Sequence, residues 1–218
     1  MRPYLLLYNA LQSAGWSYIG FVAAKECFVG STAITELWEH VEIPLKIFQT
    51  LAILEILHSL FGMVSTKTGV VLPQVFSRVF VVWIGLHYCH ASKSSIGLPL
   101  ILIAWTITEI IRYSFYFFAL LGDTPYLLKY LRYTLFIVLY PIGITGELII
   151  CYHAFAEFSA NGNLSYNLPN KINFTWHTSW FIVLYMFSYI PVFPQLYLHM
   201  FSQRKRTLSP KPADKKMK

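Results

Sequence analysis

The sequence predicts an all-α fold, a polytopic membrane protein with six transmembrane helices packed in one bundle. Of its 218 residues, 56% are hydrophobic and only 12% are charged, a composition typical of membrane proteins rather than of soluble cores. Apolar runs of about 20 residues, enough to cross a bilayer, recur along the chain and are separated mostly by short polar turns. No internal repeat is visible, so we expect one membrane domain over residues 1–202 and a basic tail over residues 203–218.

The predicted helices follow the apolar runs in order. The first run is too long for a signal peptide and lacks a small-residue cleavage site, so we expect it to stay in the protein. The tail is the only segment that we expect to be disordered. The six helices are predicted near residues 4–28, 43–62, 70–90, 97–121, 127–155 and 177–201.

The net charge of +7 is concentrated at one end of the chain. Seven Lys and Arg residues follow Ser202, and Asp214 is the only acidic residue among them. This placement favours a signal for membrane orientation over nucleic-acid binding, because basic segments stay on the cytosolic side. With six helices, both termini would be cytosolic.

Two further features agree with that orientation and favour the endoplasmic reticulum. The loop after the fifth predicted helix lies on the opposite side and contains sequons beginning at Asn163 and Asn173, which can be glycosylated only in a lumen. Lys215 and Lys216 begin a terminal K-K-x-x pattern, similar to the dilysine retrieval signal of endoplasmic reticulum membrane proteins. A merely basic tail is the alternative interpretation of that pattern.

Ionisable residues within an apolar run mark a candidate site in the fifth predicted helix. Tyr140 and Glu147 are seven positions apart, so they share one helix face and are separated by about 10 Å along the axis. Pro141, Gly143 and Gly146 loosen and expose the backbone beside them. An unpaired carboxylate near the bilayer centre is costly. We therefore expect Glu147 to line a cavity or to accept a hydrogen bond, with Tyr140 as a candidate partner.

Three arginines are predicted nearer the cytosolic ends of their helices. For any one of these arginines alone, the favoured interpretation is a side chain that snorkels to the lipid headgroups. Together with Glu55 and Gln74, which lie in the same half of the membrane, they favour a polar cavity that opens to the cytosol. Arg112 also follows Glu109 by three positions, so a structural ion pair is as well supported as a ligand contact. The three are Arg78, Arg112 and Arg132.

Several other chemistries are disfavoured by the sequence. His87 and His90 form an H-x-x-H pair, but no adjacent histidine pair follows, so we predict neither a metal site nor another cofactor. The three cysteines are widely spaced, which argues against a disulfide framework. None of them is followed six positions later by the arginine that a cysteine phosphatase needs.

Four stretches closely resemble one enzyme family, the very-long-chain 3-hydroxyacyl-CoA dehydratases, also called protein tyrosine phosphatase-like proteins. They are A-W-T-I-T-E-I-I-R-Y-S-F-Y (104–116), R-Y-T-L-F-I-V-L-Y-P-I-G-I-T-G-E-L (132–148), L-P-N-K-I-N-F (168–174) and S-Y-I-P-V-F-P-Q-L-Y-L-H-M (188–200). The family consists of endoplasmic reticulum membrane enzymes of fatty-acid elongation. The resemblance implies that Tyr140 and Glu147 are the catalytic pair. It also implies a set of further positions associated with activity: Glu55, Gln74, Arg78, Arg112, Arg132 and Gly143.

The implied reaction removes water from a 3-hydroxyacyl-CoA to give a trans-2-enoyl-CoA. A carboxylate removed from water is a stronger base, and a phenol keeps its proton at neutral pH. We therefore predict that Glu147 takes the C2 proton and Tyr140 protonates an oxygen of the substrate, with the swapped roles left open. The arginines would bind CoA phosphates at the cytosolic mouth, and the acyl chain would continue among apolar helices. The implied partners are membrane lipid and the elongase, 3-ketoacyl-CoA reductase and enoyl-CoA reductase.

Two other functions fit the same residue pattern. A non-catalytic scaffold or lipid-binding transporter of this fold would hold a ligand in the polar half-channel without turnover. A different lipid-modifying enzyme, such as an isomerase, would share the acid and the base but release no water. The presence of both Tyr140 and Glu147 favours the dehydratase.

Overall fold

The computed structural model describes residues 2–28, 34–64, 66, 68–169, 171 and 173–208, which form an all-helical bundle. A π-helical segment, Val81–His87, continues the fourth α-helix. No β-strand occurs within these ranges, although an isolated antiparallel bridge joins Tyr166 and Trp176. The prediction of an all-α fold is therefore confirmed. The α-helices of the described residues are α1 (Arg2–Phe28), α2 (Ile34–Leu51), α3 (Ile53–Leu60), α4 (Thr68–Phe80), α5 (His90–Lys93), α6 (Gly97–Leu121), α7 (Tyr126–Arg132), α8 (Phe136–Asn161) and α9 (Thr178–Leu208).

Several helices have the length and apolar character of membrane spans, although the predicted count of six is not confirmed. The first predicted span forms α1, but α1 is not among the stretches that qualify. Its polar residues, including Asn9 and Gln12, lower its mean hydropathy. In the described part of the chain, five stretches qualify: Glu36–Leu60, Thr68–His87, Gly97–Leu121, Phe136–Asn161 and Thr178–Leu208.

The second helix begins earlier than the sequence suggested. We predicted a helix from residue 43, but α2 starts at Ile34. Leu37, Trp38 and Val41 recur at helical spacing and are buried in the bundle. This amphipathic spacing forms a helix although the segment also carries charged residues.

The predicted helix over 127–155 is two helices, α7 and α8, joined by a turn at residues 133–135. Arg132 therefore ends α7, whereas Tyr140 and Glu147 both lie on α8. At the other end of the chain, α9 continues to Leu208, so the predicted disorder is wrong for residues 203–208. Lys215 and Lys216 lie outside the described residues.

Helix α6 lies at the centre of the bundle, with α1 and α8 packed along it, while α9 packs mainly against α8. The crossing of α6 and α8 is close because glycines meet there. A Cβ atom on Gly146 would lie 3.0 Å from the carbonyl oxygen of Gly97 and 2.7 Å from Cγ2 of Ile101. Small residues let membrane helices approach in this way. The crossing brings Glu147, the residue after Gly146, against α6.

Candidate active site

A cavity of about 640 Å³ lies in one half of the bundle. This half contains the connection between α3 and α4 and the C-terminal ends of α6 and α9. The eight residues marked by the family resemblance come from α3, α4, α6, α7 and α8, and the fold brings all eight to this cavity. Its lining includes Tyr140, Glu147, Glu55, Gln74, Arg78, Arg112, Arg132 and Gly143.

The carboxylate of Glu147 is buried at the cavity wall, with 6% of the residue exposed. Its Oε1 accepts a hydrogen bond from Nε1 of Trp105 on α6 at 3.1 Å. Its Oε2 accepts a hydrogen bond from the hydroxyl of Tyr189 on α9. The partners of the carboxylate are thus Trp105 and Tyr189, whereas the sequence had suggested Tyr140.

A row of hydrogen bonds continues from Glu147 along α9. The hydroxyl of Tyr189 contacts the hydroxyl of Tyr185, one helical turn earlier. Tyr185 in turn donates a hydrogen bond to the carbonyl oxygen of Ser77 on α4 at 3.2 Å. Helices α4 and α9 are therefore connected through polar groups at the deep end of the cavity.

The ring of Tyr140 is held by aromatic stacking while its hydroxyl is left without a hydrogen-bond partner among the described residues. Its ring centroid lies 5.4 Å from that of Phe193 and 5.9 Å from that of Tyr197, with nearly parallel planes. Tyr197 also donates a hydrogen bond to the carbonyl oxygen of Ile137 at 3.0 Å. Pro141 has no N–H and would otherwise leave that carbonyl without its helical partner. Helix α9 thus compensates for the proline and fixes the ring of Tyr140.

Two of the three arginines belong to a buried ion-pair cluster. Arg112 makes a bidentate contact with Glu55, with nitrogen–oxygen distances of 2.5 and 2.8 Å, and its Nε lies 2.8 Å from Oε2 of Glu109. Arg78 pairs with the other oxygen of Glu109. Two guanidinium groups and two carboxylates offset each other in charge. The predicted pairing of Glu109 with Arg112 is present, and both arginines bind carboxylates inside the bundle.

Arg132 differs from the other two arginines because none of the described carboxylates pairs with it. Its Nη2 donates to the hydroxyl of Tyr116 at 3.1 Å, and its guanidinium lies 4.6 Å from the ring centroids of Phe115 and Tyr116. Its Nη1 is buried and has no hydrogen-bond partner in the part of the chain that the structure describes. Of the three arginines that line the cavity, Arg132 is therefore the one whose charge no described carboxylate offsets, which leaves it available to an anionic ligand.

Sequence reasoning missed the groups that contact Glu147. Trp105 lies in the stretch over 104–116, whose several aromatic residues give no sign of which one contacts Glu147. Tyr185 and Tyr189 are four positions apart and so share a helix face, but the chain has 15 tyrosines. No pattern within one helix tells which neighbouring helix such a residue will face.

The remaining sequence features lie away from the cavity. Asn163 and Asn173 are exposed in the segment that joins α8 and α9, on the opposite side of the bundle from the α3–α4 connection. The three cysteines are free. Within the described ranges, no group of three or more His, Cys, Asp or Glu residues is placed to hold a metal ion.

Comparison with known proteins assigns the chain to a family. The family model described as protein tyrosine phosphatase-like protein, PTPLA, matches residues 49–210. The chain belongs to the protein tyrosine phosphatase-like family. All eight cavity residues singled out in the sequence lie within the part that matches this family. The resemblance stated from the sequence is therefore confirmed.

Similar proteins of this family come from animals and plants. The chain is 48% identical over 206 residues to very-long-chain (3R)-3-hydroxyacyl-CoA dehydratase 2 of Mus musculus, covering 94% of this chain and 81% of that protein. It is 45% identical to very-long-chain (3R)-3-hydroxyacyl-CoA dehydratase hpo-8 of Caenorhabditis elegans, over 95% of both chains. It is 38% identical to the dehydratase PASTICCINO 2 of Arabidopsis thaliana, over 95% of this chain and 94% of that protein. No solved structure matches the chain.

Proposed function

We propose that this chain is a hydro-lyase of fatty-acid elongation that converts very-long-chain 3-hydroxyacyl-CoA into trans-2-enoyl-CoA. The proposal rests on the relatives at 38 to 48% identity, which are named for this dehydratase activity. The observation that carries it in the structure is the buried carboxylate of Glu147 on a cavity that Tyr140 also lines. These are the base and the acid that the elimination requires. A scaffold or transporter would not need this pair.

The proposed mechanism uses Glu147 as the base and Tyr140 as the acid. Glu147 removes the C2 proton, which the thioester carbonyl acidifies, and the electron pair of the C2–H bond forms the C2–C3 double bond. The C3–O bond breaks as Tyr140 donates its proton to the departing hydroxyl, which leaves as water. The released water then carries the proton of Glu147 to the phenolate of Tyr140, which restores both groups. The free hydroxyl of Tyr140 supports this role.

The substrate is proposed to lie along the cavity with its CoA at the cytosolic mouth. Arg132, whose charge no described carboxylate offsets, contacts a CoA phosphate. Arg78 and Arg112 are already paired with carboxylates, so they shape the cavity wall and do not bind the phosphates directly. The acyl chain occupies the apolar part of the lining, formed by residues such as Val71, Phe76, Val192 and Leu196.

The proposed setting is the endoplasmic reticulum membrane with both termini in the cytosol. The cavity lies toward the end of the bundle that holds the α3–α4 connection, so the CoA would remain in the cytosol. Exposed Asn163 and Asn173 lie toward the other end, where glycosylation requires a lumen. The elongase, 3-ketoacyl-CoA reductase and enoyl-CoA reductase are the proposed neighbours, since they handle the preceding and following intermediates.

The proposed function can be tested with the purified full-length chain in detergent. Incubation with a long-chain 3-hydroxyacyl-CoA should give the trans-2-enoyl-CoA, measured by mass spectrometry. Glu147→Gln and Tyr140→Phe should each lower kcat by about 100-fold or more, because each removes one proton-transferring group. Tyr152→Phe on the exposed face of α8 is the matched control and should keep full activity.

Two outcomes would count against the proposal. A folded wild-type protein that forms no enoyl product would reject the dehydratase function. Full turnover by either Glu147→Gln or Tyr140→Phe would leave the function standing but reject the assigned acid and base.

A further inference from the structure

We infer that Tyr189 is a positioning residue for the dehydration, and that it keeps the carboxyl group of Glu147 hydrogen-bonded both before and after proton transfer. The inference rests on the proposed function and adds a residue to it. Tyr189 lines the same cavity and is the phenol that contacts Glu147 directly.

The carboxylate of Glu147 is held at both oxygens. Nε1 of Trp105 contacts Oε1 from α6, and the hydroxyl of Tyr189 contacts Oε2 from α9. Two donors on two different helices, one at each oxygen, fix the plane of the carboxylate. A base that must reach one C–H bond of a flexible substrate depends on such a fixed orientation.

The two donors differ in what they can do when Glu147 becomes protonated. An indole N–H can only donate a hydrogen bond, whereas a phenol can both donate and accept. Trp105 therefore cannot accept a hydrogen bond from the protonated carboxyl group. The hydroxyl oxygen of Tyr189 can accept this hydrogen bond if its own hydrogen turns toward another acceptor.

The row of contacts behind Tyr189 supplies that acceptor. From Glu147 to the carbonyl of Ser77, three contacts pass through the hydroxyls of Tyr189 and Tyr185. The two phenols carry only two hydrogens, so an ionised Glu147 leaves one of the three contacts unfilled. When Glu147 is protonated, it donates to Tyr189, Tyr189 to Tyr185 and Tyr185 to Ser77, and all three contacts are filled.

The hydrogen bonds of this row therefore reverse direction when Glu147 gains a proton, and only hydroxyl groups need to rotate. Before the reaction, Tyr189 donates to the ionised carboxylate. After Glu147 has taken the C2 proton, the same hydroxyl accepts from the carboxylic acid. Neither state leaves the buried carboxyl group without a partner, which would be costly. The base can then gain and lose its proton without a change in its position.

The test compares Tyr189→Phe and Tyr185→Phe with wild type in the detergent assay, using substrate with hydrogen or deuterium at C2. Tyr189→Phe should lower kcat by about 100-fold, the factor expected for a misplaced reacting group, with little change in KM. The deuterium effect on kcat should increase, because removal of the C2 proton becomes slower than the other steps. Tyr185→Phe keeps the direct contact with Glu147 but breaks the row, so it should show a smaller effect of the same kind.

The possible failures are distinguishable. If wild type forms no product, the proposed function is wrong. If wild type is active and a folded Tyr189→Phe variant has the same kcat and deuterium effect, the inference is overturned. An effect on KM or on thermal stability alone would indicate a packing role and would also overturn it. If Tyr189→Phe does not fold, the Tyr185→Phe variant is the test. A folded Tyr185→Phe variant with the kcat and deuterium effect of wild type would overturn the inference.

Discussion

The orientation of one carboxylate depends on residues from two other helices. Glu147 lies on α8, but its hydrogen-bond donors Trp105 and Tyr189 belong to α6 and α9. Tyr140, on the same face of α8, is held by stacking and keeps its hydroxyl free of described partners. The proposed acid and the proposed base are therefore positioned independently, by different neighbours. We propose that a substrate group enters between them.

The arginines allow a prediction at the scale of one side chain. Arg132→Ala should raise KM for the CoA ester about tenfold, the factor that corresponds to about 1.4 kcal/mol of lost binding. A shorter pantetheine ester lacks the phosphates that we assign to this arginine, so its KM should change little. Steady-state kinetics with both esters measures the difference.

Lys129→Ala is the matched control for Arg132, because Lys129 lies one turn earlier on α7 and is absent from the cavity lining. It removes a positive charge from the same helix and should leave KM unchanged for both esters. Equal rises in KM for the two esters in Arg132→Ala would contradict a phosphate contact.

At the scale of helices, α9 supports α8 where Pro141 interrupts its hydrogen bonding. The hydroxyl of Tyr197 fills the place of the missing N–H at the carbonyl of Ile137. Tyr197→Phe keeps the stacked ring but removes this hydrogen bond, so it should cost about 1 kcal/mol of stability. A lower apparent melting temperature in detergent would reveal the loss. An unchanged melting temperature, equal to that of Tyr152→Phe, would show that the contact contributes nothing.

Some helices and part of the site could be predicted from the sequence. The apolar run over 97–121 gives the bounds of α6 because polar residues and Gly122 delimit it clearly. The turn between α7 and α8 contains no proline or glycine, so nothing local marks it. Likewise, spacing within one helix places Tyr140 and Glu147 on a common face. The contacts of Trp105 and Tyr189 arise only from packing between helices, which the spacing does not encode.

At the scale of the whole molecule, the site depends on how closely α6 and α8 approach. Gly146→Ala would place a Cβ atom 3.0 Å from the carbonyl oxygen of Gly97. Backbone cannot move aside as a side chain can, so the helices should separate at a cost of about 1 to 3 kcal/mol. Separation would also weaken the contact between Trp105 and Glu147. We expect lower thermal stability together with lower kcat.

Gly69→Ala provides the comparison, because a Cβ atom there would meet nothing within 4 Å. It changes the same residue type on α4 and should leave both stability and kcat near their wild-type values. Wild-type behaviour of Gly146→Ala would mean that the crossing tolerates a wider spacing than the structure indicates.

The ion-pair cluster has a consequence for how the chain is assembled during synthesis. Translation proceeds from the N-terminus, so Glu55 and Arg78 enter the membrane before Glu109 and Arg112 exist. Their opposite charges on the neighbouring helices α3 and α4 can offset each other until α6 arrives. Helix α6 then brings in a carboxylate and a guanidinium already paired three positions apart. The α3–α4 pair and α6 thus each bring offsetting charges into the membrane, and the ion-pair cluster is completed only when α6 joins the bundle.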